Sequence, residues 1–376
     1  MLSQPPLWFI VLAFVLAIGP LVFFHEYGHY VVARWFGIGA ETFSIGFGRE
    51  IAGWTDRRGT RWKVGWLPLG GYVRFIGDMN PASQAADQSM LSDPDRARAF
   101  HLKPVWQRFL VVLAGPAANF LLAIIIFAAF FATFGMPRTP PVIGLVEPGS
   151  VAAAAGLQPA DEIRAIDGQR TTSFEDIRRI VTIRPAEPVT VAYVRAGEQR
   201  RVTLRLGATE VRDEFGQKFR IGILGIGQAK RVLERPSAAQ LIPLSVGYTL
   251  SLTRSMIDGL VQIISGARST DDLGGPLKMA QIAGQQASLG PFEFFQLLAL
   301  FSINLGFINL LPVPMLDGGH LAFYAVEAVR RRPLSGRAQE WAFRGGLALL
   351  LALLLFTTVN DLASFGLADR LGRLIG

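Results

Sequence analysis

The stretch FFHEYGHYVV, Phe23 to Val32, follows directly on the apolar run Leu7 to Phe24. A carboxylate in apolar surroundings is costly to ionise, so Glu26 needs a partner. His25 and His29 stand at i and i+4, which on a helix puts both imidazoles on one face, one turn apart. Two imidazole nitrogens at that spacing suit a single divalent metal. Glu26 beside them is placed to take a proton from a metal-activated water. A dication would also make Glu26 tolerable there. The plainer alternative is a set of polar residues capping or snorkelling at a helix end. The chain has only four histidines in 376 residues, so two at this spacing around a glutamate favour the metal.

Working outward, 51% of the chain is hydrophobic, 18% is charged and the mean hydropathy is +0.35. That is too apolar for an ordinary soluble enzyme and too charged for a bare bundle of spans, so membrane helices plus a soluble domain are expected. There is no cysteine, which excludes disulfides and thiolate metal sites. The net charge of +8 is spread without an aromatic-interleaved basic stripe, so it reads as loop arginine facing anionic lipid and not as a nucleic-acid surface. Met1 to Pro6 carries no positive n-region, and the first apolar run is expected to be retained.

Four segments approach the roughly 20 residues a span needs: Leu7 into the His-Glu motif (1–36), 106–135, Phe292 to Leu311 (with its following turn, 291–317) and 341–365. Between the first two lies a β-rich segment, 37–105, in which RWKVGWLPLGGYVRF reads as a hairpin or pair of strands bent at Gly70-Gly71. A soluble stretch of short strands with a helix signal at Ser173 to Val181 covers 140–208. The segment 209–290 follows it, and 318–340 reads as a loop. Arginine is dense in 37–107 and in 318–344, placing both inside and the N-terminus and 140–290 outside. Arg370 and Arg373 then fall outside, against the trend. Leu241 to Gly266 is apolar enough to pass for a fifth span but is expected to lie on the outer surface as an amphipathic helix. Arg254 and Asp258 share one of its faces. A fifth crossing would also put Asp317 on the wrong side of the membrane from His25 and His29.

A catalytic zinc takes three protein ligands. In INLLPVPMLDGGH, Ile308 to His320, the prolines end a helix and Asp317 is expected in an irregular Gly-rich turn. Asp317 competes with a plain turn aspartate and with His320 as ligand; a two-His, one-carboxylate set favours Asp317. Asn309, one turn before the prolines, suits either a substrate backbone or an interhelical hydrogen bond.

These motifs together resemble the site-2 protease family, in its bacterial regulator-of-sigma-E protease branch. They are His25-Glu26-Tyr27-Gly28-His29, Gly115-Pro116-x-x-Asn119-Phe120, and Asn309-x-x-Pro312-x-Pro314-x-Leu316-Asp317-Gly318-Gly319. The likeness runs nearly end to end. It implies a polytopic α-helical membrane protein with four transmembrane helices, a cytoplasmic-side re-entrant β-element and one periplasmic PDZ domain, in the bacterial inner membrane. It implies one catalytic Zn²⁺ held by His25, His29 and Asp317, with Glu26 as general base. Asn309 and the strand bearing Gly70 and Gly71 would meet substrate. His320 belongs to the pattern but not as a ligand. Substrates would be single-pass membrane proteins, such as an anti-sigma factor after a first cut outside, or signal-peptide remnants. Membrane lipid is the other expected partner, and nucleic acid is not. The PDZ-like stretch departs from the common pattern at Ala160, where glycine is usual, and its carboxylate loop, Thr139 to Gly144, lacks a Gly-φ-Gly pattern, which fits a size filter at least as well as C-terminus capture. The rival classes are a non-catalytic PDZ scaffold, which has no use for Glu26, and a metal transporter, which needs a file of acidic or His residues along the spans.

Overall fold

The computed structural model describes residues 5–77, 92–212, 218–230, 232–266 and 274–364. Arg370 and Arg373 lie outside them. The chain divides into two compact units, Met1–Ala128 with Ile242–Val261 and Ser269–Gly376, and Ala129–Leu241 with Gln262–Arg268.

The first unit opens with α1 (Leu7–Trp35), an unbroken apolar helix up to the His-Glu motif. It ends because Gly37 takes φ 71°, which lets the Ile38 N–H donate to Ala33 O and the Gly37 N–H to Arg34 O. Then come β1 (Ala40–Thr55) and β2 (Arg61–Phe75). The RWKVGWLPLGGYVRF stretch pairs as two pieces with the same strand. Thr42–Ile45 lies beside Arg61–Val64 on one side and Gly71–Arg74 on the other, while Glu50–Thr55 pairs back onto Arg61–Gly65. After α2 (Asp93–Arg98) comes α3 (Val105–Phe134).

The second unit holds β3 (Met136–Arg138), β4 (Ile143–Val146), α4 (Val151–Ala154), β5 (Glu162–Ile166), β6 (Gln169–Arg170), α5 (Phe174–Thr182), β7 (Pro188–Arg195), β8 (Glu198–Arg205), β9 (Gly207–Arg212), β10 (Lys218–Ile223), β11 (Ile226–Gln228) and β12 (Val232–Glu234). Ser173 and Asp176 form a capping box that starts α5. Ala196 and Gly197, both at positive φ, turn β7 into β8. The sheet runs β6-β5-β7-β8. Its core of Ile143, Ile163, Ile166, Ile177, Val191 and Leu204 also takes in Leu224. The expected boundary at 208 is therefore too short: β11 pairs with β4 and β12 with β3, so residues to Glu234 complete the unit.

Next come α6 (Ala238–Ile264), α7 (Pro276–Leu289), α8 (Pro291–Leu310), α9 (Asp317–Arg330) and α10 (Gly336–Ser364). Among the described residues, α1, α3, α8 and α10 are long and apolar enough to cross a membrane, and α6 is not in that set. Rows of exposed leucine on α10 (Leu347, Leu349, Leu351, Leu355) suit lipid and not water. The expected irregular turn and loop after α8 need correction, since Asp317 is the first residue of a 14-residue helix, closed by Arg331 in the left-handed conformation. The first unit's core joins Tyr30, Ala33, Phe43, Phe75, Val111, Leu321 and Tyr324, so α1, the β-pair, α3 and α9 share one packed interior. Asp361 of α10, buried, accepts from the Gly275 and Lys278 N–H groups at 2.9 Å each and caps α7.

In the second unit, burial alone would push the Asp161 carboxyl up. The Arg195 fork, at 2.7 Å to each oxygen, and the Gln158 N–H outweigh it and hold Asp161 below the ordinary carboxylate range. A depressed folded pKa gives stability that is present above the unfolded value, about 3.9, and lost as pH falls through the folded one. Replacing Arg195 with Leu leaves the buried carboxyl without its cation. Amide exchange protection of β5 and β7 is then expected to fail at a higher pH than in the wild type; an unchanged acid limit would show the pair to be idle.

Candidate metal centre

The site starts from small residues that let helices touch. A Cβ on Gly28 of α1 would sit 2.3 Å from Ala114 O of α3, and a Cβ on Gly115 would sit 2.2 Å from His29 Nε2. Only glycine at both positions allows α3 to press against the histidine face of α1. At that distance His29 Nδ1 reaches the Val111 carbonyl at 2.8 Å, and on the other ring His25 Nδ1 meets the Asn119 amide at 3.1 Å. A carbonyl only accepts, so His29 Nδ1 carries the proton and its Nε2 offers a lone pair.

Asp317 arrives from the far end of the sequence. Leu311, extended before Pro312, ends α8. Met315 then holds φ 83°, a conformation that costs a side chain about 1–3 kcal/mol. Gly318 and Gly319 matter less as turn formers than as spaces: a Cβ would lie 2.2 Å from Leu311 O at the first and 2.4 Å from Val313 O at the second. The chain folds back on itself there, and Asp317 opens α9 facing α1.

The result is three donor atoms aimed at one point. His25 Nε2 and His29 Nε2 are 3.3 Å apart, and Asp317 Oδ2 is 3.1 Å from the first and 3.5 Å from the second. Asp317 Oδ2 is buried without a hydrogen bond. Lone pairs gathered this closely repel unless a cation sits among them, and two imidazoles with one carboxylate are a donor set that fits zinc. His320 stands apart, its ring packed against Tyr324 and Phe343.

Glu26 lies on the same turn of α1, half-buried, with the Val73 backbone of β2 beside its carboxylate. Gly71 is against it: a Cβ there would be 3.0 Å from Glu26 Cγ and 2.8 Å from Val22 Cγ1. Gly70, φ 96°, faces the Phe47 ring instead. Asn309 is half-buried in the last turn of α8 and does not belong to the donor cluster. Gly115 and Asn119 are part of the site without being ligands. Their signal is present in Gly-Pro-x-x-Asn, but the histidine that Asn119 meets is 94 positions away in the sequence.

Two outcomes follow for bound zinc, read by metal analysis of purified protein. Gly115→Ala is expected to lose most of it, while Gly19→Ala, with open space around its Cα, keeps it. Asp317→Ala is expected to lose far more than His320→Ala; the reverse order would make His320 the ligand.

The profile of Peptidase family M50 matches residues 13–353. A protein of Agrobacterium fabrum provisionally named a zinc metalloprotease is 45% identical over 363 residues, covering 94% of this chain and 96% of its own. One of Mesorhizobium japonicum, named in the same way, is 42% identical, covering 93% and 97%. Metalloprotease MmpA of Caulobacter vibrioides is 38% identical, covering 96% and 97%. A solved structure, the PDZ domain of the SdrC-like protein of Listeria monocytogenes, aligns with 25% of this chain and 90% of its own, at 19% identity and a TM-score of 0.19. With a match across nearly its whole length and a two-histidine, one-aspartate donor set at its centre, the chain belongs to Peptidase family M50, the site-2 proteases, and is a zinc metalloprotease.

Proposed function

We propose that this metalloprotease cuts single-pass membrane proteins inside their transmembrane segments. The observation that carries the reading is the position of the site. His25, Glu26 and His29 lie within α1, a helix apolar enough to cross a membrane, and Asp317 follows the short turn that ends α8, another. A peptide bond in such a segment is hidden by lipid and by its own helix, so cleavage needs water, an opened helix and a polarised carbonyl. Zinc, when bound by His25, His29 and Asp317, supplies a Lewis acid and lowers the pKa of water. Glu26, next to the ligands, takes the proton and returns it to the leaving amine. Asn309 and the β2 edge at Gly70–Gly71 hold the unwound substrate, the latter by strand addition. An anti-sigma factor already cut outside, or a signal-peptide remnant, is the substrate class.

The reading also sets an orientation in a bacterial inner membrane. The N-terminus and the 129–241 unit, taken as PDZ-like from its short helices on a β6-β5-β7-β8 sheet, are periplasmic; the β1–β2 element is re-entrant from the cytoplasm. Basic loops face anionic lipid. α6 lies on the outer surface without crossing. Its Ile242, Leu250, Ile257, Val261 and Ile264 form one exposed apolar stripe at helical spacing, as an interfacial helix requires.

In detergent, wild-type protein is expected to cleave a model transmembrane segment and Glu26→Gln to lose at least about 10³-fold of that rate while keeping its zinc. Wild-type turnover by the variant would remove Glu26 as base, and loss of metal would make it a ligand. The chain has no cysteine of its own, so Ser265→Cys and Arg332→Cys are clean topology probes. An impermeant thiol reagent added outside is expected to label the first and to reach the second only after the membrane is opened. Labelling of Arg332→Cys alone would overturn the orientation.

A further inference from the structure

Asn119 is fully buried on α3, and the two ends of its amide stand in different situations. Nδ2 is drawn 3.1 Å from His25 Nδ1, while Oδ1 is buried with no hydrogen-bond partner. The two ends are nearly identical in shape, and a half-turn of the amide exchanges them. The choice matters because it sets the neighbouring ring. If the NH₂ group donates to His25 Nδ1, a neutral His25 must carry its proton on Nε2, the atom 3.1 Å from Asp317 Oδ2 and 3.3 Å from His29 Nε2. That proton blocks the lone pair a metal needs. If the oxygen faces the ring, it accepts from Nδ1–H, gains the donor it otherwise lacks, and leaves Nε2 bare. His29 is already fixed in that tautomer by the Val111 carbonyl.

We propose that Asn119 is a positioning residue that fixes His25, through its side-chain oxygen, in the tautomer whose Nε2 binds zinc. The backbone at Asn119 is well held for this. Ser302 Oγ of α8, fully buried, donates to the Asn119 backbone carbonyl at 2.7 Å, so the residue is tied to the helix that leads to Asp317. One ring is thus oriented by a backbone carbonyl and the other by an amide oxygen, both from α3. Partners of this kind typically contribute 10- to 100-fold to metal affinity. The inference rests on zinc ligation and not on the choice of substrate.

The experiment compares wild type, Asn119→Asp and Asn119→Leu in full-length protein, with zinc affinity read by chelator competition. Asp keeps an acceptor facing Nδ1–H but can no longer donate; Leu has neither. The expected result is affinity within about 3-fold of wild type for Asp and about 10- to 100-fold lower for Leu. If Asp falls as far as Leu, the nitrogen is the working end and the proposal is overturned. It is overturned equally if Leu binds zinc like wild type. Should Leu fail to fold, Asp against wild type still decides. Nitrogen-15 spectra give a second readout that simple packing would not move: with four histidines in the chain, His25 can be assigned, and its Nδ1–H tautomer should dominate in the zinc-loaded wild type. An Nε2–H signal there would contradict it. Wild-type protein that binds no zinc would sink the metal assignment itself, a separate failure.

Discussion

Three donor atoms from two distant parts of the chain meet within 3.5 Å of one another in a largely apolar interior, and the surrounding architecture serves to hold them there. Such a cluster is unfavourable by itself. It stands because α1 and α3 touch through Gly28 and Gly115, because Gly318 and Gly319 let the turn after α8 fold back on itself, and because Tyr30, Val111 and Tyr324 lock α1, α3 and α9 into one core. The same glycines that look like helix-weakening residues in isolation are the points where a side chain would have broken the site.

The β1–β2 element is coupled to this centre more closely than a neighbouring sheet need be. The Val73 backbone lies beside the Glu26 carboxylate, and Gly71 leaves room for Glu26 and Val22 beneath it. Glu26 therefore sits between the helix that carries His25 and His29 and the β2 strand. On the proposed reading, a change in the strand's pairing is felt first at the residue that moves the proton, a link between substrate engagement and chemistry that needs no long-range pathway.

Much of this was legible in the sequence, for identifiable reasons. His25, Glu26 and His29 are local: their spacing and the period of a helix suffice. The four long helices are local too, since apolar runs of span length declare themselves. Asp317 was legible through chemistry, as the acid that completes a two-histidine set, but not through structure: Leu-Asp-Gly-Gly looks like a turn, and the helix can begin there because Gly318 packs on the carbonyls of Leu310 and Leu311 and Gly319 on that of Val313. The extent of the β unit past residue 208 was hidden for a related reason. β11 and β12 are three residues each and are strands only because β4 and β3 await them. Asn119 was visible as part of a motif but silent about its partner, because a contact between residues 25 and 119 has no local signature.

The donor set assigned to the zinc is two imidazole nitrogens and one carboxylate oxygen. Zinc-edge X-ray absorption on the purified protein tests this most directly. The expected result is one zinc per chain with a shell of nitrogen and oxygen donors at about 2.0–2.1 Å, two of them showing the outer-shell scattering of imidazole rings. In Asp317→Ala the same spectrum should lose an oxygen donor or the metal altogether. A third imidazole in the wild-type shell, or a shell unchanged in Asp317→Ala, would contradict it.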